Sequence, residues 1–331
     1  MRPDRTAIRS AGDVLGSWRD GRAREAILDF IAGVIEPASA GFVPPAERLA
    51  VFDGDGTLWP ERPAIEAHFA LTRINAAAAA DPDLRLRQPF KAALEADLEA
   101  LSALTSAELL ELVSTSHGGI TAEQFEEEVL AFFRSAAHPT LRIPYVEARY
   151  LPMCELVELL VSNDFTVWVC ASGTAEFARL RAERFMGVPR SHIIASRLNE
   201  SLYDLRDQLV IWRAPGVLFV NEGAARALAV ASLLGCRPLL VAGNAGDGAD
   251  LELMRYAQGR AGRSCQLLVY HDDPARDVDY GVSARETLVA AARFGFNVVS
   301  VKRDWRVVLP VEPPGAGHGA PSDAATASSN L

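Results

Sequence analysis

Two carboxylates, Asp53 and Asp55, stand two residues apart where an apolar run ends, in Leu49-Ala50-Val51-Phe52-Asp53-Gly54-Asp55-Gly56-Thr57. Off an extended chain end, residues i and i+2 leave on the same side. Carboxylates held that close repel unless a cation or a shared proton compensates. Paired oxygen donors of this kind suit a hard divalent ion such as Mg2+. A second feature is Ser172-Gly173, set between the apolar run Phe165–Cys170 and the helical pattern of Ala175–Phe185. A strand that turns there into a helix N-terminus presents a hydroxyl and free backbone N–H groups to an anion. The third is a glycine-rich acidic loop, Gly243–Asp250, after the apolar run Pro238–Ala242, with Asn244, Asp247 and Asp250 as oxygen donors. Its spacing of acids and glycine does not make a calcium-binding EF-hand loop.

The elements that must position these groups follow from periodicity. Ala26, Ile27, Phe30, Ile31 and Val34 predict an amphipathic helix over Ala23–Val34, and Leu49–Phe52 reads as a buried strand. Residues 60–137 show no β alternation. Ile65–Ala80 predicts a helix, Phe90–Leu112 is a long run of helix formers, His117-Gly118-Gly119 breaks it, and Thr121-x-x-Gln124 is a capping box opening a helix over Ala122–Ser135. From 147 onward short apolar strands alternate with helices. The strands are Phe165–Cys170, His192–Ser196, Pro238–Ala242, Cys265–Tyr270 and Asn297–Val301. Leu209–Trp212 reads as half of a hairpin and Val217–Val220 as a further apolar run. The helices are 147–163, Ala175–Phe185, Glu222–Leu234 closed by Gly235, Leu251–Ala257 and Ser283–Phe294. The alternation implies an α/β class, a Rossmann-like parallel sheet core with an inserted all-helical cap. Ligands of such sheets bind at the carboxyl ends of the strands, where Asp53, Ser172 and the 244–250 loop all fall. The division expected is a core over 20–59 and 138–310, a helical insertion over 60–137, and flexible termini at 1–19 and 311–331.

Composition narrows the function classes. The chain has 331 residues, a net charge of -10, 49% hydrophobic and 23% charged residues, which suits a globular protein and disfavours a nucleic-acid binder. Four scattered cysteines, at 154, 170, 236 and 265, have neither zinc nor disulfide spacing and read as buried thiols. No apolar stretch is long enough for a membrane span, and no secretory leader stands out, so a cytoplasmic location is expected. Lysine occurs only at 91 and 302, so arginine carries nearly all of the positive charge.

Asp53-Gly54-Asp55-Gly56-Thr57-Leu58 resembles the first motif, DxDGT[LV], of the haloacid dehalogenase superfamily, and VFDGDGTLW resembles its phosphoserine-phosphatase-like bacterial branch. The resemblance extends to QPFKA at 88–92, to Phe177 and Arg179, and to HDDPARDVDY at 271–280. It implies a Mg2+-dependent phosphatase acting on a small phosphorylated metabolite through an aspartyl-phosphate. In that reading Asp53 is the nucleophile and Asp55 the acid and base. Ser172, Gly173 and Arg226 hold phosphate. Asp53, Asp55, Asn244, Asp247 and Asp250 are the metal candidates. Arg226 matches a position where the family has lysine, and the 244–250 loop is about two residues longer than the family pattern. Glu61 is the candidate substrate contact, with Glu66 its rival. A metabolite binder with little turnover and a phosphotransferase are the alternatives. Oligomeric state and substrate identity stay open.

Overall fold

The computed structural model describes residues 8–9 and 14–311. The chain runs α1 (Arg22–Ile35), β1 (Leu49–Phe52), α2 (Ile65–Ala80), α3 (Phe90–Glu95), α4 (Leu98–Ser102), α5 (Ser106–His117), α6 (Ala122–Ser135) and α7 (Leu151–Ser162). It continues through β2 (Thr166–Thr174), α8 (Ala175–Met186), β3 (Ile193–Leu205), β4 (Gln208–Phe219), α9 (Ala224–Leu234), β5 (Leu240–Asn244) and α10 (Leu251–Gln258). β6 (Cys265–Tyr270), α11 (Arg285–Phe294), β7 (Asn297–Ser300) and the short α12 (Val301–Asp304) complete it.

Seven strands form one sheet in the order β4-β3-β2-β1-β5-β6-β7. All neighbours pair parallel except β3 and β4, which form an antiparallel edge hairpin. This is the α/β class expected, with helices α2 to α6 inserted between β1 and β2. β1 lies at the centre, flanked by β2 and β5, because its apolar run is buried on both faces. Ala50, Val51 and Phe52 are fully buried. The three strands that carry the chemistry-bearing turns are therefore adjacent, and their carboxyl ends open at one place.

The helical insertion differs from the sequence reading in detail. The run 90–112 is not one helix. Ala96 adopts a left-handed conformation that ends α3, and Thr105 with Glu108 forms a capping box that starts α5. A capping box ties backbone donors to side chains and sets a new helix start inside a stretch whose residues all favour helix. The Thr121–Gln124 box opens α6 as read from sequence. The insertion also splits in its packing. Ile65, Phe69, Phe125, Val129, Phe132 and Phe133 join the main core, where the Phe69 ring meets Phe125, Phe132 and Phe177 at 5.5 Å each. Ile74, Ala78, Leu84, Phe90 and Leu112 form a small cluster of their own.

The edge hairpin is longer than the sequence indicated. β3 and β4 pair from Arg197 with Phe219 to Leu205 with Gln208, so the apolar run at 209–212 and the run at 217–220, up to Phe219, belong to one strand. The turn Arg206-Asp207 has φ of 54° and 65°. Such primed turns match the twist of a hairpin and favour Gly, Asn and Asp, of which only Asp207 is present. β4 sends Arg213 inward. Its Nε donates to the His117 carbonyl (2.6 Å), its guanidinium lies 3.8 Å over the Phe125 ring, and Nη1 is 3.1 Å from Glu176 Oε2.

The expected loose N-terminus is corrected for its described part. Leu15 and Trp18 are buried, Ser17 Oγ donates to Glu155 (2.7 Å), and Trp18 Nε1 donates to the Pro152 carbonyl (2.9 Å). Residues 1–7, 10–13 and 312–331, named as flexible from sequence, lie outside the described residues. Cys170 and Cys265 are buried, whereas Cys236 is exposed, contrary to its reading as a buried thiol, because it follows the left-handed Gly235 that ends α9.

Candidate active site

Asp53 is the first residue beyond β1, and its N–H donates to the Ala242 carbonyl of β5 (2.8 Å). That bond anchors the strand exit and leaves the carboxylate 3% exposed. Its Oδ1 accepts from Arg226 Nη1 (2.8 Å) and its Oδ2 from Asn244 Nδ2 (3.1 Å) and Thr57 Oγ1 (3.2 Å). Asn244 Nδ2 also donates to the Asp55 carbonyl (3.0 Å), so one amide faces a carboxylate oxygen and a main-chain oxygen together.

Arg226 enters from the first turn of α9 and also pairs with Asp250. Asp250 Oδ2 accepts from the Asn244 N–H (3.0 Å). Two buried carboxylates thus share one guanidinium. Burial pushes the Asp53 carboxyl upward, with Asp250 adding to the push and Arg226 opposing it. Burial likewise raises Asp250. For Arg226 burial works against the charge, but the two acids outweigh it and its pKa rises.

Asp55 has different surroundings. Its Oδ1 accepts from Trp59 Nε1 (2.9 Å) and from Arg181 Nη1 (2.9 Å). Arg181 rises from α8 and lies 4.1 Å over the Trp59 ring. Burial lowers its pKa to about 10, with Asp55 working to keep the charge. The loop between the two acids is fixed from behind, where His271 Nε2 donates to the Gly56 carbonyl (2.8 Å) and Nδ1 lies 2.7 Å from Asp277 Oδ2. Gly56 has φ +74°, and a Cβ there would meet Tyr280 Oη at 2.5 Å and Glu61 Oε2 at 3.0 Å, so only glycine fits.

Ser172 and Gly173 occupy the end of β2, just before α8. The Ser172 carbonyl accepts from Ser196 Oγ (2.6 Å), which itself accepts from the Asn221 N–H (2.9 Å), and Asn221 Nδ2 donates to the Ala171 carbonyl (2.8 Å). The strand end is thereby tied to its neighbours. Glu66 of α2 accepts from the Thr174 N–H (3.1 Å) and hydroxyl and meets His117 Nε2 at 3.1 Å. Its carboxylate therefore lies beside the residue that precedes α8. Glu61 pairs with Arg62 Nε (3.0 Å), and burial raises its pKa while Arg62 opposes the rise.

The structure therefore brings Asp53, Asn244, Asp250 and Arg226 together, with the Asp55 main chain beside them. It does not bring Asp247 to them. Asp247 is exposed, and its Oδ1 accepts from the Ala249 N–H (2.9 Å) within its own loop. Among the described residues no group of three or more His, Cys, Asp and Glu side chains is arranged to hold a metal ion. What converges at Asn244 is instead two hard oxygens, the Asp53 carboxylate and the Asp55 main-chain carbonyl, bridged by the Asn244 Nδ2 in the place a cation would take, while the Asn244 Oδ1 accepts from the Gly246 N–H (2.8 Å). Together with Asp53 and Asp250 sharing a single guanidinium, that set fits a divalent cation, since the local charge is one positive short.

Sequence reasoning missed Arg181, Trp59 and His271 as members of this neighbourhood. Arg181 had a signal. Phe177, Ala178, Arg181, Ala182 and Phe185 are buried along one face of α8, and an arginine on an apolar stripe must find a buried anion. Arg179, which the resemblance singled out, instead reaches Glu176 at 3.6 Å on the more exposed side.

The profile of the family described as haloacid dehalogenase-like hydrolase matches residues 50–255. The chain belongs to that family. The match starts within β1 and ends in α10, so it spans β1, β2, β5 and the turns described above. A search of the curated proteins finds no match. Among solved structures, a protein of unknown function from Bordetella pertussis Tohama I superposes with a TM-score of 0.51 at 13% identity, covering 76% of this chain and 98% of its own. A functionally unknown protein from Anaerococcus prevotii DSM 20548 gives 0.52 at 13% identity, covering 84% and 91%. These likenesses speak for the fold alone. Among the described residues no helix is long and apolar enough to cross a membrane.

Proposed function

We propose that this member of the haloacid dehalogenase-like hydrolases is a phosphatase of small phosphorylated metabolites, working in the cytoplasm with Mg2+. The observation that carries the reading is Asp53. It is a buried carboxylate at the exit of the central strand, fixed by Arg226 and Asn244 in a place one positive charge short. A carboxylate held this way is a poor surface ornament and a good nucleophile.

Asp53 attacks phosphorus and forms an acyl phosphate while Asp55 protonates the departing alcohol. Water then cleaves the acyl phosphate, and Asp55 takes its proton. Arg226 keeps Nη1 on Asp53 and offers Nη2 to phosphoryl oxygens, a division for which a planar guanidinium is suited. Ser172 Oγ and the N–H of Gly173 face the same anion in this reading. Asp53, the Asp55 carbonyl and Asn244 would hold Mg2+, which screens the repulsion between carboxylate and phosphate and stabilises the charge that develops on the phosphoryl oxygens. Asp250 serves through Arg226, and Asp247 lies outside the ligand set. Residues 60–137 act as a cap over the site, and Glu61, beside Gly56 and Tyr280, faces the substrate under it.

Phosphate release from a panel of small phosphomonoesters, with and without Mg2+, tests the proposal. Metal-dependent release that drops at least about a thousandfold in Asp53→Asn is the expected result. Release that survives this substitution would rule out Asp53 as nucleophile.

A further inference from the structure

We propose that Arg181 and Trp59 are positioning residues that decide which oxygen of Asp55 hands its proton to the leaving group. The inference rests on the phosphatase reading above and adds residues to it.

The geometry is asymmetric. Both donors converge on Asp55 Oδ1, Trp59 Nε1 at 2.9 Å and Arg181 Nη1 at 2.9 Å. Neither donor is free to move. Trp59 is 1% exposed and Arg181 4% exposed. The guanidinium is sandwiched, 4.1 Å over the Trp59 ring and 5.8 Å from the Phe185 ring centre. The Asp55 side chain keeps 29% of its surface exposed, so it borders the opening while its holders lie in the core. An oxygen that accepts twice is the carbonyl oxygen of a carboxyl group, which places the hydroxyl on Oδ2. A freely turning aspartate would present either oxygen. A general acid must meet its proton acceptor within hydrogen-bond reach, so fixing the rotamer removes unproductive orientations. A buried arginine without a partner would be costly, and here the acceptor it has found is the side chain that carries the proton of the reaction.

The chemistry balances at a stated atom. As the bond from phosphorus to the ester oxygen breaks, its electron pair goes to that oxygen, which takes the proton from Oδ2 and leaves as alcohol. Oδ2 is then the base that accepts a proton from the water attacking the acyl phosphate, and the carboxyl group is restored.

The test compares two esters by kcat/KM, which reports on steps through departure of the alcohol. One is an alkyl phosphomonoester that the wild type turns over, whose alkoxide must be protonated. The other is p-nitrophenyl phosphate, whose phenolate leaves without a proton. Arg181→Met keeps the stem over Trp59 and removes the donor. It is expected to lower kcat/KM for the alkyl ester about 30- to 100-fold and that for the aryl ester less than about threefold. Trp59→Phe keeps an aromatic ring and removes the N–H with the rest of the indole, a loss of packing that both esters share, and the same bias between the esters is expected at about fivefold. Arg181→Lys, which returns one charged donor, should recover part of the alkyl-ester rate. Equal losses on the two esters, or no loss on either, overturn the proposal. If Arg181→Met fails to fold by circular dichroism, the Trp59→Phe bias decides alone. If the wild type releases phosphate from neither ester, the phosphatase reading fails first and this inference falls with it.

Discussion

The two acids at the exit of β1 sit two residues apart in sequence and in opposite electrostatic circumstances. On the Asp53 side, two buried carboxylates share Arg226. On the Asp55 side, one partly exposed carboxylate has Arg181 and the Trp59 N–H for itself. The first arrangement is short of positive charge and invites a cation. The second is balanced and serves to hold one side chain in one orientation. A strand exit that splits neighbouring carboxylates between separate arginines can give them separate tasks, nucleophile and proton carrier, which like-charged neighbours in one environment could not hold.

The comparison breaks most completely if its shared cation is removed. Arg226→Ala leaves Asp53 and Asp250 buried without a counter-charge. We expect a loss of about 3–5 kcal/mol in denaturant unfolding and a fall in phosphate release of about 10²- to 10³-fold. Arg226→Lys should restore most of the stability, because both acids meet the single nitrogen Nη1, and less of the rate, because an ammonium lacks the further guanidinium donors offered to phosphoryl oxygens. Wild-type stability in the alanine variant would mean that the pair contributes nothing.

Charge shortage on the Asp53 side is sharpened by the opposite substitution. Asp53→Asn should raise the melting temperature of the metal-free protein by about 2–4 °C. The sign follows from linkage. The Asp53 carboxyl is raised in the fold, so its favourable contribution is present below the ordinary carboxylate range and is lost as pH climbs through the raised value. The advantage of the asparagine variant is therefore expected to widen between about pH 5 and about pH 8 in the absence of divalent ions. Mg2+ should raise the wild-type melting temperature and leave that of Asp53→Asn nearly unchanged. A variant that melts lower than wild type at every pH would contradict the charge argument.

The smallest effect is expected at Asp247. Its carboxylate is exposed and serves only its own loop, so Asp247→Asn should change activity and Mg2+ response by less than about twofold. A tenfold weakening of the Mg2+ response would return Asp247 to the ligand set.

Much of this is legible in the sequence. The strand Leu49–Phe52 appears with the boundaries read from its apolar run, and the Thr121 capping box opens α6 where the spacing of Thr and Gln says it must. Asn244 and Arg226, both singled out from sequence, each contact Asp53. These are local signals or motifs attached to strand ends, and strand ends are placed by the sheet. What stayed hidden was non-local. The helix break at Ala96 has no glycine to announce it, and the hairpin turn Arg206-Asp207 has Asp but neither Asn nor Gly.

By itself, the sequence determined the fold class, the central strand, and the three turns whose residues could do chemistry, because periodicity and turn composition act over short stretches of chain. Only the tertiary structure decided how charge is shared. Arg181 reaches Asp55 across 126 positions and Arg226 reaches Asp53 across 173, so the partner of each acid depends on helix placement rather than on neighbouring residues. Asp247 and Asp250 look equivalent in sequence, yet one faces solvent and the other is buried against Arg226, since the helix that starts at Leu251 turns only the latter inward.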